Sequence, residues 1–274
     1  MNLTTKTTSH STHRGFSRRT FQGLSIAVLV ALATGCADVN RLREAQDSFN
    51  QAAASENALR FDTKSADATA SLASARSGYA SALLSLEKLE NSKGRTQLRN
   101  DGLWGTALTL KALTQWRLGQ FDRAVATAEL ARQSAGDQMY PRDLAVITAL
   151  PGLVKTDQAY DKIQRTNAPL SDVEELLIGD RGAVANLQSA RAQVDKDHPV
   201  QVYLVQAQLA AYRNFQVALD RLKNHAIVPA DHPARANANA QLKELNRLLK
   251  LQGAGDPGQR LVEYWVELCA LDRP

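Results

Sequence analysis

The sequence predicts an all-α protein, and three observations carry that expectation. Alanine supplies 43 of the 274 residues, while aromatic residues make up only 5%. Alanine has the best helix propensity and lets helix backbones approach closely. Beyond residue 36, apolar residues recur three and four positions apart, the period of one helix face, and no stretch alternates as a half-buried strand does. Gly, Pro and Asn-rich punctuation separates these stretches. A hydrophobic content of 44% with 22% charged residues excludes a collagen-like or wholly disordered chain. The length is ample for a buried core.

The first element reads as an address. Residues 1–22 are polar and basic, and Gly23 to Ala33 is an apolar run of eleven residues. A helix crossing a bilayer needs about 20 residues, so this run suits the core of an export signal instead. Ala33-Thr34-Gly35-Cys36 follows directly. This resembles the lipobox of bacterial lipoproteins, although Ala33 stands where that family more often has Leu. The resemblance implies a signal peptide cleaved after residue 35 and a lipidated Cys36 at the new N-terminus. Acyl chains then attach the protein to a membrane without a spanning helix. Ala37, not Asp, follows the cysteine. By resemblance to the enterobacterial sorting rule, this implies the periplasmic face of the outer membrane, with the inner membrane as the other location. Ser17-Arg18-Arg19-Thr20-Phe21 resembles the twin-arginine export signal, and Gln22-Gly23 departs from it. The general secretory route stays open beside that one.

Residues 36–274 form one helical domain in this reading. Val39, Leu42, Gln46, Phe49 and Ala53 predict a first helix to about Leu59. Ala66 to Leu89 is a second, ended by Asn91-Ser92-Lys93-Gly94 with Gly as its cap. Leu103–Leu118 and Phe121–Ala135 flank a Gly119-Gln120 turn. Tyr140-Pro141 opens a helix that Pro151-Gly152 breaks, and Leu153–Ile163 is a short separate one. Ser171 and Glu174 are spaced as a capping box. Helices are expected over Ala183–Val194, Val200–Tyr212, Phe215–His225 and Ala234–Leu251. Asp256-Pro257 starts the last helix.

Leu103–Gly136 carries the most informative pattern. Gly119 permits a tight reversal, Phe121 plugs the corner, and Ala124 and Ala131 leave room on one face two turns apart. Arg117-Leu118-Gly119-Gln120-Phe121-Asp122-Arg123-Ala124 resembles the turn of a tetratricopeptide repeat. Leu108, Lys111-Ala112 and Ala128 depart from that family's usual residues. Phe215-x-x-Ala218 repeats the corner pattern, and Ala45/Phe49/Ala52 and Ala75/Tyr79/Ala82 share the spacing of a second repeat helix. The intervals between these echoes do not hold a 34-residue period. The resemblance implies a helical-hairpin array, an α-solenoid of the tetratricopeptide kind, with its best repeat at about 103–136.

Charge and chemistry narrow the function. The chain has 33 basic and 28 acidic residues, net +5. Lys6, Arg14, Arg18 and Arg19 fall in the signal, which has no acid, so 29 basic and 28 acidic residues remain. A body at net +1 lacks the basic face that nucleic-acid binding needs. No phosphate loop, dinucleotide turn, nucleophile elbow or zinc-protease motif is present in the sequence. His198 and His232 each precede Pro, as turn residues do, and Asp231-His232 has no partner at metal-ligand spacing. Cys269 lies on an apolar helical stripe, a core position, with a reactive thiol as the sharper reading. Trp116, beside the best turn, is the one named candidate for partner contact. The expectation is a non-enzymatic adaptor without metal or cofactor, serving envelope proteins from a lipid anchor. The alternative is the accessory subunit of a tripartite periplasmic transporter, relaying a small-molecule ligand, which requires an apolar pocket of ligand size.

Overall fold

A computed structural model of the chain describes residues 37–61, 68–90, 94–135, 138–165, 168–223 and 226–269. Every regular element among them is a helix: α1 (Ala37–Phe61), α2 (Ala68–Glu90), α3 (Gly94–Asn100), α4 (Trp104–Arg117), α5 (Phe121–Ala135), α6 (Pro141–Gln164), α7 (Leu170–Ile178), α8 (Ala183–Arg191), α9 (Val200–Leu222), α10 (Pro233–Leu251) and α11 (Asp256–Cys269).

Small residues set the closest approaches. Ala45 and Ala52 of α1 face Ala75 and Ala82 of α2, all buried. A Cβ on Gly78 would come within 2.9 Å of the Ala52 Cβ. The Phe49 and Tyr79 rings close the same interface with centroids 5.2 Å apart.

The structure corrects four local expectations. Gly94 opens α3 instead of capping α2. Pro151-Gly152 does not break the chain, because α6 runs through both. An internal Pro removes one hydrogen bond and costs about 3 kcal/mol. Burial on both sides offsets that: Ile147, Ala149 and Leu150 precede it, and Leu153, Val154 and Ala159 follow, all in the core. Gly152 serves a close crossing, since a Cβ there would meet the Ala183 carbonyl oxygen at 2.8 Å. The Ser171–Glu174 box does not form, because α7 starts two residues earlier with Pro169 as its N-cap and no side-chain cap. Finally, Val200–Leu222 is one helix, so Phe215-x-x-Ala218 is mid-helix and not a corner. Asn214, at the expected break, donates its side-chain amide to the Thr156 carbonyl of α6 at 3.1 Å.

Packing follows a simple order. The helices α1, α4, α6, α9 and α11 form a row in which each touches the next. Between successive members lie α2, α5, α8 and α10, each packed on the two it separates. The row's members α4, α6 and α9 run parallel. Thr106 and Trp116 of α4 bond Asp143 and Asp157 of α6 at 2.6 and 2.7 Å. Thr156 and Gln164 of α6 meet Asn214 and Arg221 of α9 in the same direction. Asp197–Arg247 and Phe215–His232 set α10 antiparallel to α9. The core divides in two, one part under α1–α5 and one around α7, α10 and α11. Helices α6, α8 and α9 contribute to each part.

Candidate functional site

The turn between α4 and α5 is the local feature on which the site is built. Gly119 has φ +74°. Its N–H bonds the Trp116 carbonyl at 2.9 Å, and the Gln120 N–H bonds the Gln115 carbonyl at 2.9 Å. This double bond is the Schellman arrangement, which needs a left-handed residue that Gly adopts without strain. Phe121 is half-buried against the core. Ala124 and Ala131 are fully buried and let α5 lie close on α4. Thr127 Oγ1 donates to Gln115 Oε1 at 2.7 Å, tying the two helices in the core.

Trp116 is not a surface contact. Only 7% of it is exposed, because its ring is held from two sides. Its Nε1 donates to Asp157 Oδ2 at 2.7 Å, and the Arg117 guanidinium sits 4.2 Å from its centroid. Arg117 also donates to Glu56 Oε1 at 3.1 Å, and Glu56 Oε2 accepts from the Tyr79 hydroxyl at 2.7 Å. Side chains from α1, α2, α4 and α6 therefore meet at one guanidinium, with Tyr203 of α9 nearby. Burial alone would lower the Arg117 pKa, but Tyr203, Glu56, Tyr79 and Asp157 raise it above the ordinary value. The cluster holds a permanent cation between carboxylates and aromatic faces. Its bonds tie α1 to α2 and α4, and α4 to α6.

On α6 the stripe that carries Asp157 continues outward. Tyr160 is 44% exposed, and Asp161 beside it is exposed as well. Tyr160 is not among the residues that the sequence singles out. Its signal is an aromatic residue three positions after a half-buried acid and next to the buried Ala159, which becomes readable only once the core face of α6 is known.

A second hub lies at the end of α8. Arg191 donates to Gln201 at 2.9 Å, Gln208 at 3.0 Å and Glu244 at 3.4 Å, and also to Gln241. Burial lowers its pKa, while Glu244 works in the opposite direction. This network pins α8, α9 and α10 together. The two Asp-His-Pro tripeptides are helix caps. His198 Nδ1 accepts from the Val200 N–H at 3.2 Å, and His232 Nδ1 from the Ala234 N–H at 3.1 Å. Cys269 is 1% exposed, and burial pushes its thiol up to about 12, which fits the core reading and not the reactive one. Among the described residues there is no group of three or more His, Cys, Asp or Glu placed to hold a metal. No described helix is long and apolar enough to cross a membrane. Arg18, Arg19 and Cys36 lie outside the described residues.

Compared with known proteins, the chain matches no family model, no curated protein and no solved structure.

Proposed function

We propose that the chain is a non-enzymatic, lipid-anchored scaffold of the bacterial envelope, its helix pairs stacked as a tetratricopeptide-like solenoid that receives partner proteins along one row. The observation that carries this reading is the row α1–α4–α6–α9–α11, with α2, α5, the α7 and α8 pair, and α10 packed between its successive members. Stacked helix pairs of this kind make extended surfaces that bind peptides and subunits. The row's helices start at residues 37, 104, 141, 200 and 256. Only the step from α4 to α6, across the Gly119 corner, approaches the 34-residue repeat, so the array is degenerate outside it. Tyr160 and Asp161 replace Trp116 as the contacts offered to a partner. Cys36 supplies the anchor, with the periplasmic face of the outer membrane as the location. Nucleic acid has no place in this reading, given the balanced charge of the body.

Three measurements test it. Cys36→Ser should abolish acylation and release the protein from membranes; a variant still bound after a high-salt wash ends the anchor reading. Replacing Arg18 and Arg19 by Lys keeps the charge and should block export by the twin-arginine route. Normal export of that double variant assigns the general pathway. Tyr160→Ala should change stability by no more than about 0.5 kcal/mol, as surface substitutions do. It should nevertheless reduce crosslinking to envelope partners in intact cells, while Leu72→Ala on α2, also an exposed position, leaves it unchanged. Equal crosslinking by both variants removes Tyr160 from the contact surface.

A further inference from the structure

We infer that the array stands on the bilayer by the edge at which α1 begins, and that this edge is a lipid-headgroup docking surface built around Arg95 and Arg99. The inference rests on the lipid-anchor reading of Cys36. Helix α1 starts at Ala37, the residue after that cysteine. Successive Cα atoms are about 3.8 Å apart, so a rigid helix leaves the acylated residue with no linker between. Whatever surrounds the start of α1 is brought to the membrane surface with it.

The fold determines what that is. Helix α2 returns antiparallel to α1, which places its last turn there, and α3 packs on α1, α2 and α4. The parallel α4 and α6 bring their starts to the same edge. Arg95 and Arg99 are exposed, one turn apart on α3. Their guanidinium carbons lie 5.3 and 6.0 Å from the centroid of the Trp104 ring, which is itself buried. An aromatic face orders a guanidinium while leaving its N–H groups at the rim, and that planar fork matches phosphate oxygens. Lys88 is exposed in the last turn of α2. Tyr140, 51% exposed at the start of α6, is the amphipathic ring type that settles at a membrane interface. Of the acids at this edge, Asp38 pairs with Arg41, Glu90 with Lys111 and Asp143 with Arg142, exposed Asp101 accepts from Gln97, and Glu87 lies half-buried in the last turn of α2. The edge thus offers cations and an interfacial ring to an anionic headgroup layer. Tyr160 lies 19 residues along α6 from Pro141. At 1.5 Å per residue it is held about 28 Å from the lipid, clear for a partner.

The test uses the full acylated protein in vesicles of phosphatidylethanolamine and phosphatidylglycerol. Nitroxide labels go on Lys88→Cys and Thr96→Cys at this edge and on Arg123→Cys at the opposite one. The buried Cys269 thiol stays unlabelled. Labels at 88 and 96 should collide with an aqueous nickel chelate several-fold less than the label at 123. Equal collision rates at all three positions overturn the inference. Replacing Arg95 and Arg99 by Glu should restore aqueous access at 88 and 96, and replacing both by Lys should not. Unchanged protection in the Glu pair removes the arginines as the docking group. Mass spectrometry of Cys36 separates the two readings. An acylated protein with a fully aqueous edge refutes the orientation alone, and an unacylated one refutes the anchor and the orientation with it.

Discussion

Trp116 and Arg117 are neighbours in the chain and solve one burial problem together. The indole needs a partner for its N–H, and Asp157 accepts it; the guanidinium needs counter-charge, and Glu56 supplies it. Trp116→Ala should cost about 3–5 kcal/mol through the cavity it leaves. Trp116→Phe keeps one aromatic ring and most of the packing, and loses the bond to a charged acceptor, about 1.5–3 kcal/mol. Thermal melts of both variants check the order; a Trp116→Phe variant as stable as the parent means that the indole N–H contributes nothing. Cys269 gives a prediction with a defined pH window. Its thiol pKa rises from 9.0 to about 12 on folding because burial disfavours the thiolate. The folded state therefore holds its proton where the unfolded state releases it. This contribution is complete below pH 9 and declines as pH rises towards 12. Cys269→Ala should flatten the fall in stability over that window, as denaturant midpoints at pH 8 and pH 10.5 would show. Thiol reagents at pH 8 should label Cys269 only as fast as the protein opens.

At the scale of elements, two glycines make opposite demands. Gly119 has positive φ and open space where a side chain would stand, so Gly119→Ala meets backbone strain alone, about 1–2 kcal/mol. Gly152 has ordinary helical geometry but no room, because a Cβ would press on the Ala183 carbonyl. Gly152→Ala should cost about 1–3 kcal/mol by pushing α8 off α6. Adding Gln or Ser on the surface of α8 cannot rescue it, whereas a smaller Leu187 side chain should in part, since Leu187 also lies 3.1 Å from that Cβ position. These cases show what was legible. The Gly119–Phe121–Ala124 corner could be read because turn residue, capping bonds and the helix that follows lie within ten positions. The break expected at Pro151-Gly152 was a local inference that packing on both sides overrode. The Arg117 cluster left no trace in the sequence, because it joins residues 56, 79, 117 and 157, and only the stacking order of the helices brings them together.

The whole molecule behaves as a line of nearest neighbours with three crossing members. Each outer helix packs on the two row members it separates, so a disturbance at one end has few direct routes to the other. Helices α6, α8 and α9 are exceptions, since their side chains enter both parts of the core. Opening either part alone leaves them half held, and releasing them requires both. Native-state hydrogen exchange should therefore find its slowest amides in Ala145–Val154 of α6 and Leu204–Leu219 of α9, at the free energy of global unfolding. Amides of α1 and α2 should exchange through a smaller opening, because that hairpin joins the rest through one side only. Those of α11 should do the same at the other end. Phe49→Ala, in the α1–α2 interface, should lower protection in α1 and α2 by several kcal/mol and leave α10 and α11 unchanged. Equal loss of protection at both ends would mean that the two parts of the core unfold as one unit, and that the row is a single cooperative bundle instead of a linear array.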